Sequence, residues 1–492
     1  MAFFKSEASF LEKITMGAIG AQKVIELLNA NGHNVIELER YSTSNKIWAT
    51  KIKRLRLPDL LCLKCGRRIE SRAKSKLGII MSDNENDPLR RWYSGMQGED
   101  YVAFIACDKD DQGKVEASQT INLFSINDMI SVEEQTVLSK PKSVDEGAER
   151  DRTWKSYTPG FDFIVEDITQ AKGITKLVLK KPNGKTYTYS VPLGHSVYVK
   201  TEQSYKANEK IVAGIIPCEA CECCTNRTYD FFVDLKSNEP SVKYAAIKAL
   251  GFLPKTPKAV EALHSIIQNE EDNRIKLESY ASLLRLDENI WDEAERFMTE
   301  LQQADLKMEY VFILGELGQV FPQRVIERLR AVLSMPDIHD EIKAAAIWVL
   351  PDNYEGLCLC LSYCFHENEG IRNHAVAKIE RGFIPELTAD VLSNIGENAF
   401  HNSICAHILA TADKVNAQAV IDKYSNSKDD ITKQWLLFTI GISPKEKYTD
   451  LTKKTVESSL EPIRVLDLLW NCYATYTSQI ESKSIEYLKL QK

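Results

Sequence analysis

The sequence predicts a multidomain protein in which an α/β domain is followed by a small β domain and a C-terminal array of paired helices. Three observations predict this order. The chain of 492 residues exceeds the ~100 to 200 residues of one ordinary domain. Its first part joins a helical pattern to short apolar runs, and its second half repeats a helical segment. We place the domains at 1–135, 136–228 and 229–492.

The first domain begins with a helical pattern and continues with strands. Apolar residues between Ile19 and Leu28 fall on one side of a helix, which Asn31-Gly32 ends. Short runs with strand character follow at 34–39, 60–63, 69–73, 101–106 and 120–124. This order predicts a mixed sheet. From about 140 to 215 short strands and turns predict the small β domain, with a tight hairpin at Asn183-Gly184.

The C-terminal half is self-similar. The segment VKYAAIKAL from Val242 recurs one hundred residues later as IKAAAIWVL from Ile342. Weaker copies begin at Leu277, Met308, Ile371, Ile404, Ile431 and Ile463. A spacing of about 30 to 35 residues is typical of stacked helix pairs. This half resembles the HEAT-repeat family of α-solenoids, which implies a concave surface for a protein partner or nucleic acid. An irregular all-α domain is the alternative.

Composition excludes some classes of protein. The sequence has no apolar run near the ~18 residues of a membrane span, and its start lacks the features of a secretory signal. We therefore expect a cytoplasmic protein with no membrane partner.

Charge is distributed unevenly along the chain. The net charge is -8, yet residues 40–76 contain twelve basic residues and two acids. A local basic patch can bind phosphate on an otherwise acidic protein, although a solvated basic face is the alternative. The candidates for phosphate contact are Lys51, Lys53, Arg54, Arg56 and Arg68.

The same window contains candidate catalytic residues. Asp59 follows Pro58 before one strand, and Glu70, Arg72 and Lys74 alternate along the next. Alternate residues of a strand share a face, so these three side chains point the same way, and Asp59 could meet Glu70 if the strands pair. Two carboxylates can bind Mg²⁺ or Mn²⁺. Lys74 or Arg72 could then offset developing charge during phosphodiester hydrolysis.

This arrangement resembles the PD-(D/E)XK, or restriction-endonuclease-like, superfamily over about the first 130 residues. Asp59 matches the first acid of its motif and Glu70 the second. Arg72 takes the third position, Lys74 lies two residues further on, and Gln22 stands where Holliday-junction-resolvase-like members have a helical glutamate. The resemblance implies a metal-dependent nuclease, which we expect to act on DNA rather than RNA. The fusion of such a domain to a repeat scaffold suits defence or repair in a bacterium. The alternatives are an inactive nuclease-fold adaptor and a basic hairpin without metal.

Cysteine pairs predict a structural zinc site. Cys62 and Cys65 are two residues apart and precede a glycine, and a second cluster spans 218–224. Four thiolates form a closed tetrahedral site, and disulfides are the weaker explanation in a reducing cytosol. The predicted ligands are Cys62, Cys65, Cys218 and Cys221, with Cys224 replacing Cys218 as a variant. Two unrelated features, or two incomplete sites, are the alternatives.

Overall fold

The computed structural model describes residues 8–39, 55–109, 115–141, 149–171, 173–217 and 228–443. The chain forms two compact units, which divide between Ala294 and Glu295. The first unit contains the sheets and the first helices of the C-terminal half, and the second contains the remaining described helices. An N-terminal α/β region and a C-terminal helical region are therefore confirmed.

The N-terminal region is built on a mixed five-stranded sheet. Its elements are α1 (Ala8–Ala30), β1 (Val35–Glu37), β2 (Leu60–Cys62), β3 (Arg68–Lys74), β4 (Ile79–Asp83), β5 (Tyr101–Lys109), β6 (Val115–Ser125) and α2 (Ile126–Ser131). The strand order is β1-β2-β3-β5-β6, in which only the β3–β5 pair is parallel. All five predicted strands lie in this sheet.

Helix α1 covers one face of the sheet because its apolar side packs there. Val24 and Leu28 are buried with Ile69 and Ile105 in one core cluster. A glycine at position 20 permits the close approach, since a Cβ there would lie 2.6 Å from the Cβ of Ala73. A second core, containing Phe104, lies on the opposite face of the sheet.

Three smaller sheets follow. Their strands are β7 (Val137–Leu138), β8 (Arg150–Trp154), β9 (Ser156–Tyr157), β10 (Phe163–Ala171), β11 (Ile174–Lys180), β12 (Thr186–Pro192), β13 (Ser196–Val197), β14 (Ser204–Tyr205) and β15 (Ala213–Gly214). The orders are β4-β8-β7, β12-β11-β10-β14 and β13-β15-β9. The predicted hairpin joins β11 to β12, and Gly184 has φ +81° there. The pairing of β4 with β8 was not predicted, because it joins segments about seventy residues apart.

The C-terminal region contains thirteen described helices. They are α3 (Pro240–Phe252), α4 (Pro257–Asn269), α5 (Asn273–Arg285), α6 (Trp291–Glu300), α7 (Ala304–Leu317), α8 (Pro322–Leu333), α9 (Asp340–Trp348), α10 (Tyr354–Tyr363), α11 (Glu369–Gly382), α12 (Thr388–Ser393), α13 (Ala399–Thr411), α14 (Ala417–Asn426) and α15 (Asp430–Ile442). The repeated segments fall on the odd-numbered helices. Within the first unit α3 packs on α5, and within the second α7, α9, α11, α13 and α15 pack in succession. The copy at Ile463 lies outside the described residues.

Candidate functional site

The pairing of β2 with β3 brings the predicted acids to neighbouring positions. Leu60 pairs with Ile69, so Asp59 and Glu70 are the next residues along the two strands. The backbone N–H of Ser71 donates a hydrogen bond to Oδ2 of Asp59 at 2.7 Å. This bond holds the Asp59 carboxylate against β3 at the point where Glu70 leaves the backbone. We call Asp59, Glu70, Arg72 and Lys74 the carboxylate site.

Glu70, Arg72 and Lys74 share one face of β3, which is the face opposite α1. Their parallel partners in β5 are Val102, Phe104 and Ala106, which belong to the core on that face. The alternate residue Ala73 instead faces the helix at position 20. The predicted alternation is therefore present in the structure, and the helix does not cover these three side chains.

Arg72 supplies the positive charge that pairs with Glu70. Its Nη2 lies 2.5 Å from Oε1 of Glu70, and the Glu70 side chain is 14% exposed. Burial alone would lower the pKa of Arg72, but the carboxylates of Glu70, Asp59, Glu39 and Glu149 raise it above its usual value. Arg72 thus stays charged and offsets the repulsion between Asp59 and Glu70.

Gln22 lies on the α1 side of the sheet, whereas the Glu70 side chain lies on the opposite face. It borders a cavity of about 340 Å³ between α1 and the β1–β2 edge, together with Glu37 and Asp59. Ala18, Ala21, Ile25 and Leu60 complete its lining. Asp59 is the residue common to this cavity and the carboxylate site. Gln22, at the position compared above with a helical glutamate, therefore shares the α1-side cavity with Asp59 and not with Glu70.

The residues predicted to contact phosphate differ in their exposure to solvent. Arg56 is exposed. Arg68 is 3% exposed, and its guanidinium donates to Asp100 Oδ2 at 2.6 Å, Gly95 O at 3.1 Å and Ser241 Oγ at 3.1 Å. Its hydrogen-bonding capacity is used inside the protein, so we leave Arg68 out of any phosphate-binding surface. Lys51, Lys53 and Arg54 lie outside the described residues.

A second group of side chains lies around the turn between β2 and β3. His33, Cys62 and Cys65 have ligand atoms within 4.8 Å of one another, and no other such group of three His, Cys, Asp or Glu occurs among the described residues. We call it the thiol–imidazole cluster. His33 was not predicted from the sequence, because only the pairing of β1 with β2 brings it to the two cysteines. Cys218, Cys221 and Cys224 lie outside the described residues.

The environment of Cys62 favours its thiolate. The hydrogen bond from Cys65, opposed by burial and supported by His33, lowers the pKa of the Cys62 thiol to about 3. The distance from Cys62 Sγ to His33 Nδ1 is 3.6 Å. A thiolate is the form in which cysteine binds metal. By contrast, burial raises the pKa of the Cys107 thiol to about 11.

The chain returns to this cluster just beyond the second group of cysteines. The backbone N–H of Tyr229 donates to the carbonyl of Lys64 at 2.9 Å. Gly66 has φ +72°, and a Cβ there would lie 2.5 Å from the Tyr229 ring. The residue that follows the Cys62–Cys65 pair must therefore be glycine both for its backbone conformation and for the packing of Tyr229.

Comparison with known proteins adds no assignment. No protein-family model matches the chain, and no curated protein matches it. Among the described helices, none combines the length and apolar character that a bilayer crossing requires. Function must therefore be argued from the two side-chain groups themselves.

Proposed function

We propose that the protein is a Mg²⁺-dependent or Mn²⁺-dependent nuclease that hydrolyses DNA at the carboxylate site. The observation that carries this proposal is the 2.7 Å hydrogen bond from the Ser71 N–H to Asp59. It holds the Asp59 carboxylate at the backbone residue next to Glu70, and Glu70 shares its strand face with Arg72 and Lys74. Such a set of oxygen donors suits a hard divalent cation.

The order of elements supports the same proposal. The chain runs from α1 through β1 and β2 to β3, which is the order of the restriction-endonuclease-like superfamily. Pro58 and Asp59 precede β2, and β3 carries the acidic and basic residues of the motif. The parallel pairing of β3 with β5 gives the mixed sheet that the sequence predicts. We extend the resemblance to the helical half, where recurring segments on alternate helices support HEAT-like repeats that bind DNA or a protein partner.

Each residue of the site has a distinct role in this proposal. Asp59 and Glu70 bind the cation, which when bound acidifies a water and offsets charge on the phosphodiester. Glu70 must then exchange its ion pair with Arg72 for the cation. The released guanidinium can donate to a phosphate oxygen, and Lys74 adds a second positive charge on the same face. The exposed Arg56 contributes to DNA contact.

The proposal is tested by cleavage of supercoiled, linear and single-stranded DNA by the purified full chain with Mn²⁺ or Mg²⁺. Wild-type protein should cut in a metal-dependent manner, and Glu70→Ala should not. Glu99→Ala is the matched control, because the Glu99 side chain is 65% exposed on the same unit and should be dispensable. Equal cutting by wild type and a folded Glu70→Ala protein would disprove this active site.

Lys74 should contribute to the rate rather than to folding. We expect Lys74→Ala to lower the cleavage rate about 100-fold, because a cation that offsets transition-state charge is lost. Lys76→Ala removes an equal charge two residues beyond, outside β3, and should leave the rate essentially unchanged. Single-turnover rates at saturating metal make the comparison. Equal losses in the two variants would indicate general phosphate attraction instead.

A binding adaptor without catalysis is the second candidate function. The ion pair between Arg72 and Glu70 favours it, because this pair neutralises the charge that would attract a cation. Gln22, an amide on the α1 side, favours it as well. An adaptor would bind DNA with a steep salt dependence, cut none of the three substrates, and bind equally well as Glu70→Ala.

A further inference from the structure

Three side chains from separate segments converge at one end of the main sheet. His33 lies between α1 and β1, Cys62 ends β2, and Cys65 lies in the turn before β3. Their nitrogen and sulfur atoms lie within 4.8 Å of one another. Cys62 and Cys65 are both buried, at 0% and 4% exposure, so these sulfurs face the protein interior rather than solvent.

The distance between the histidine nitrogen and the cysteine sulfur matches that of two ligands of one ion. In a tetrahedral zinc site, Zn–S is about 2.3 Å and Zn–N about 2.0 to 2.1 Å, so adjacent sulfur and nitrogen ligands lie roughly 3.6 Å apart. The observed separation of Cys62 Sγ and His33 Nδ1 is 3.6 Å. We infer that His33, Cys62 and Cys65 are ligands of one structural Zn²⁺, which His33 binds through Nδ1.

The backbone around the cluster is arranged for this role. Gly66 N–H donates to the Cys62 carbonyl at 2.9 Å and Leu63 N–H donates to the Asn34 carbonyl at 2.7 Å. The first bond closes the turn that places the two sulfurs on one side. The second ties that turn to the residue directly after His33. The ligand atoms are thus positioned by hydrogen bonds within and between the two segments.

A zinc shell that contains His33 differs from the predicted set of four cysteines and does not depend on the proposed nuclease activity. Two cysteine pairs would supply four thiolates, whereas a shell that contains His33 needs at most one further thiolate to close the tetrahedron. The ion would join the end of α1 to the turn between β2 and β3. It would therefore fix the two strands that carry Asp59 and Glu70, whether or not these acids perform catalysis.

Zinc X-ray absorption on the full chain, prepared without a histidine tag, tests the inference directly. We expect one Zn²⁺ per chain, with a nitrogen shell at about 2.0 to 2.1 Å beside sulfur at about 2.3 Å. A shell of four sulfurs, or the absence of stoichiometric zinc, would overturn it. DNA cleavage plays no part in this measurement, so failure of the nuclease proposal leaves the result unaffected.

Cobalt substitution provides the matched variants. We expect His33→Ala to weaken Co²⁺ binding at least about tenfold, and His33→Cys to restore binding with a stronger thiolate-to-cobalt charge-transfer band. Cys62→Ser should lose that band in part, whereas Cys358→Ser, in the helical region, should leave it unchanged. An unaltered spectrum and affinity in His33→Ala would show that histidine is not a ligand. His33→Cys keeps the test valid if the alanine variant folds poorly.

Discussion

Replacing Asp59 by asparagine should abolish most metal-dependent cleavage while leaving the fold intact. The amide oxygen of the substituted side chain can still accept the hydrogen bond that Ser71 N–H donates to Oδ2 of Asp59 at 2.7 Å. The change therefore removes the anionic ligand but retains the connection between β2 and β3. Loss of several kcal/mol of transition-state stabilisation corresponds to a rate about 100- to 1,000-fold lower.

The rate should be measured in single turnover across a range of Mn²⁺ concentrations. Asp108→Asn is the control, since Asp108 is an exposed acid near the end of β5. If high Mn²⁺ restores the wild-type rate in Asp59→Asn, the residue acts in metal affinity alone. A rate equal to wild type at every concentration would remove Asp59 from the site.

Replacing Asp100 by alanine should strongly destabilise the N-terminal sheet. Asp100 is 4% exposed and accepts from the Arg68 N–H at 3.0 Å, from Arg68 Nη2 at 2.6 Å and from the Gln97 N–H at 2.6 Å. Without it, the buried guanidinium of Arg68 loses its ion pair and keeps the neutral hydrogen-bond acceptors Gly95 O and Ser241 Oγ. Breaking a buried ion pair by removing one partner costs about 3 to 5 kcal/mol.

Hydrogen exchange of the β3 and β5 amides measures this loss locally, which suits a chain of two units better than one global midpoint. Glu99→Ala is again the control, because its exposed ion pair with Arg67 should contribute no more than about 1 kcal/mol to the opening free energy. A loss below about 1 kcal/mol in Asp100→Ala would mean that the Arg68 charge is adequately solvated without Asp100.

Local sequence patterns predicted the features that residues close together in the chain determine, namely the strand alternation and the repeated helices. The alternation of Glu70, Arg72 and Lys74 follows from the two-residue period of a strand, which β3 obeys. The repeated helical segments were visible because each copy carries its own apolar pattern. The approach of Asp59 to β3 was predicted only on condition that β2 and β3 pair. The antiparallel register, in which Leu60 lies opposite Ile69, meets that condition.

Features set by long-range packing could not be predicted. Arg68 was expected to contact phosphate, since in sequence it is one of a run of basic residues. Its burial depends on Asp100, thirty-two residues away, and on Ser241 in α3. The face on which α1 lies depends on the packing of its apolar side against Ile69 and Ile105, which are distant in sequence. His33 joined the thiols only through the pairing of β1 with β2, in which Val35 lies opposite Cys62.

Arg72 gives the carboxylate site a built-in counterion. Two carboxylates on adjacent strands repel each other, and that repulsion would work against the pairing of β2 with β3. The guanidinium bound to Glu70 at 2.5 Å removes this obstacle within the polypeptide itself. The strand pair can therefore assemble without a divalent cation. If the site binds a cation as proposed, that binding would exchange one positive partner of Glu70 for another, and a metal-depleted protein would retain the paired strands.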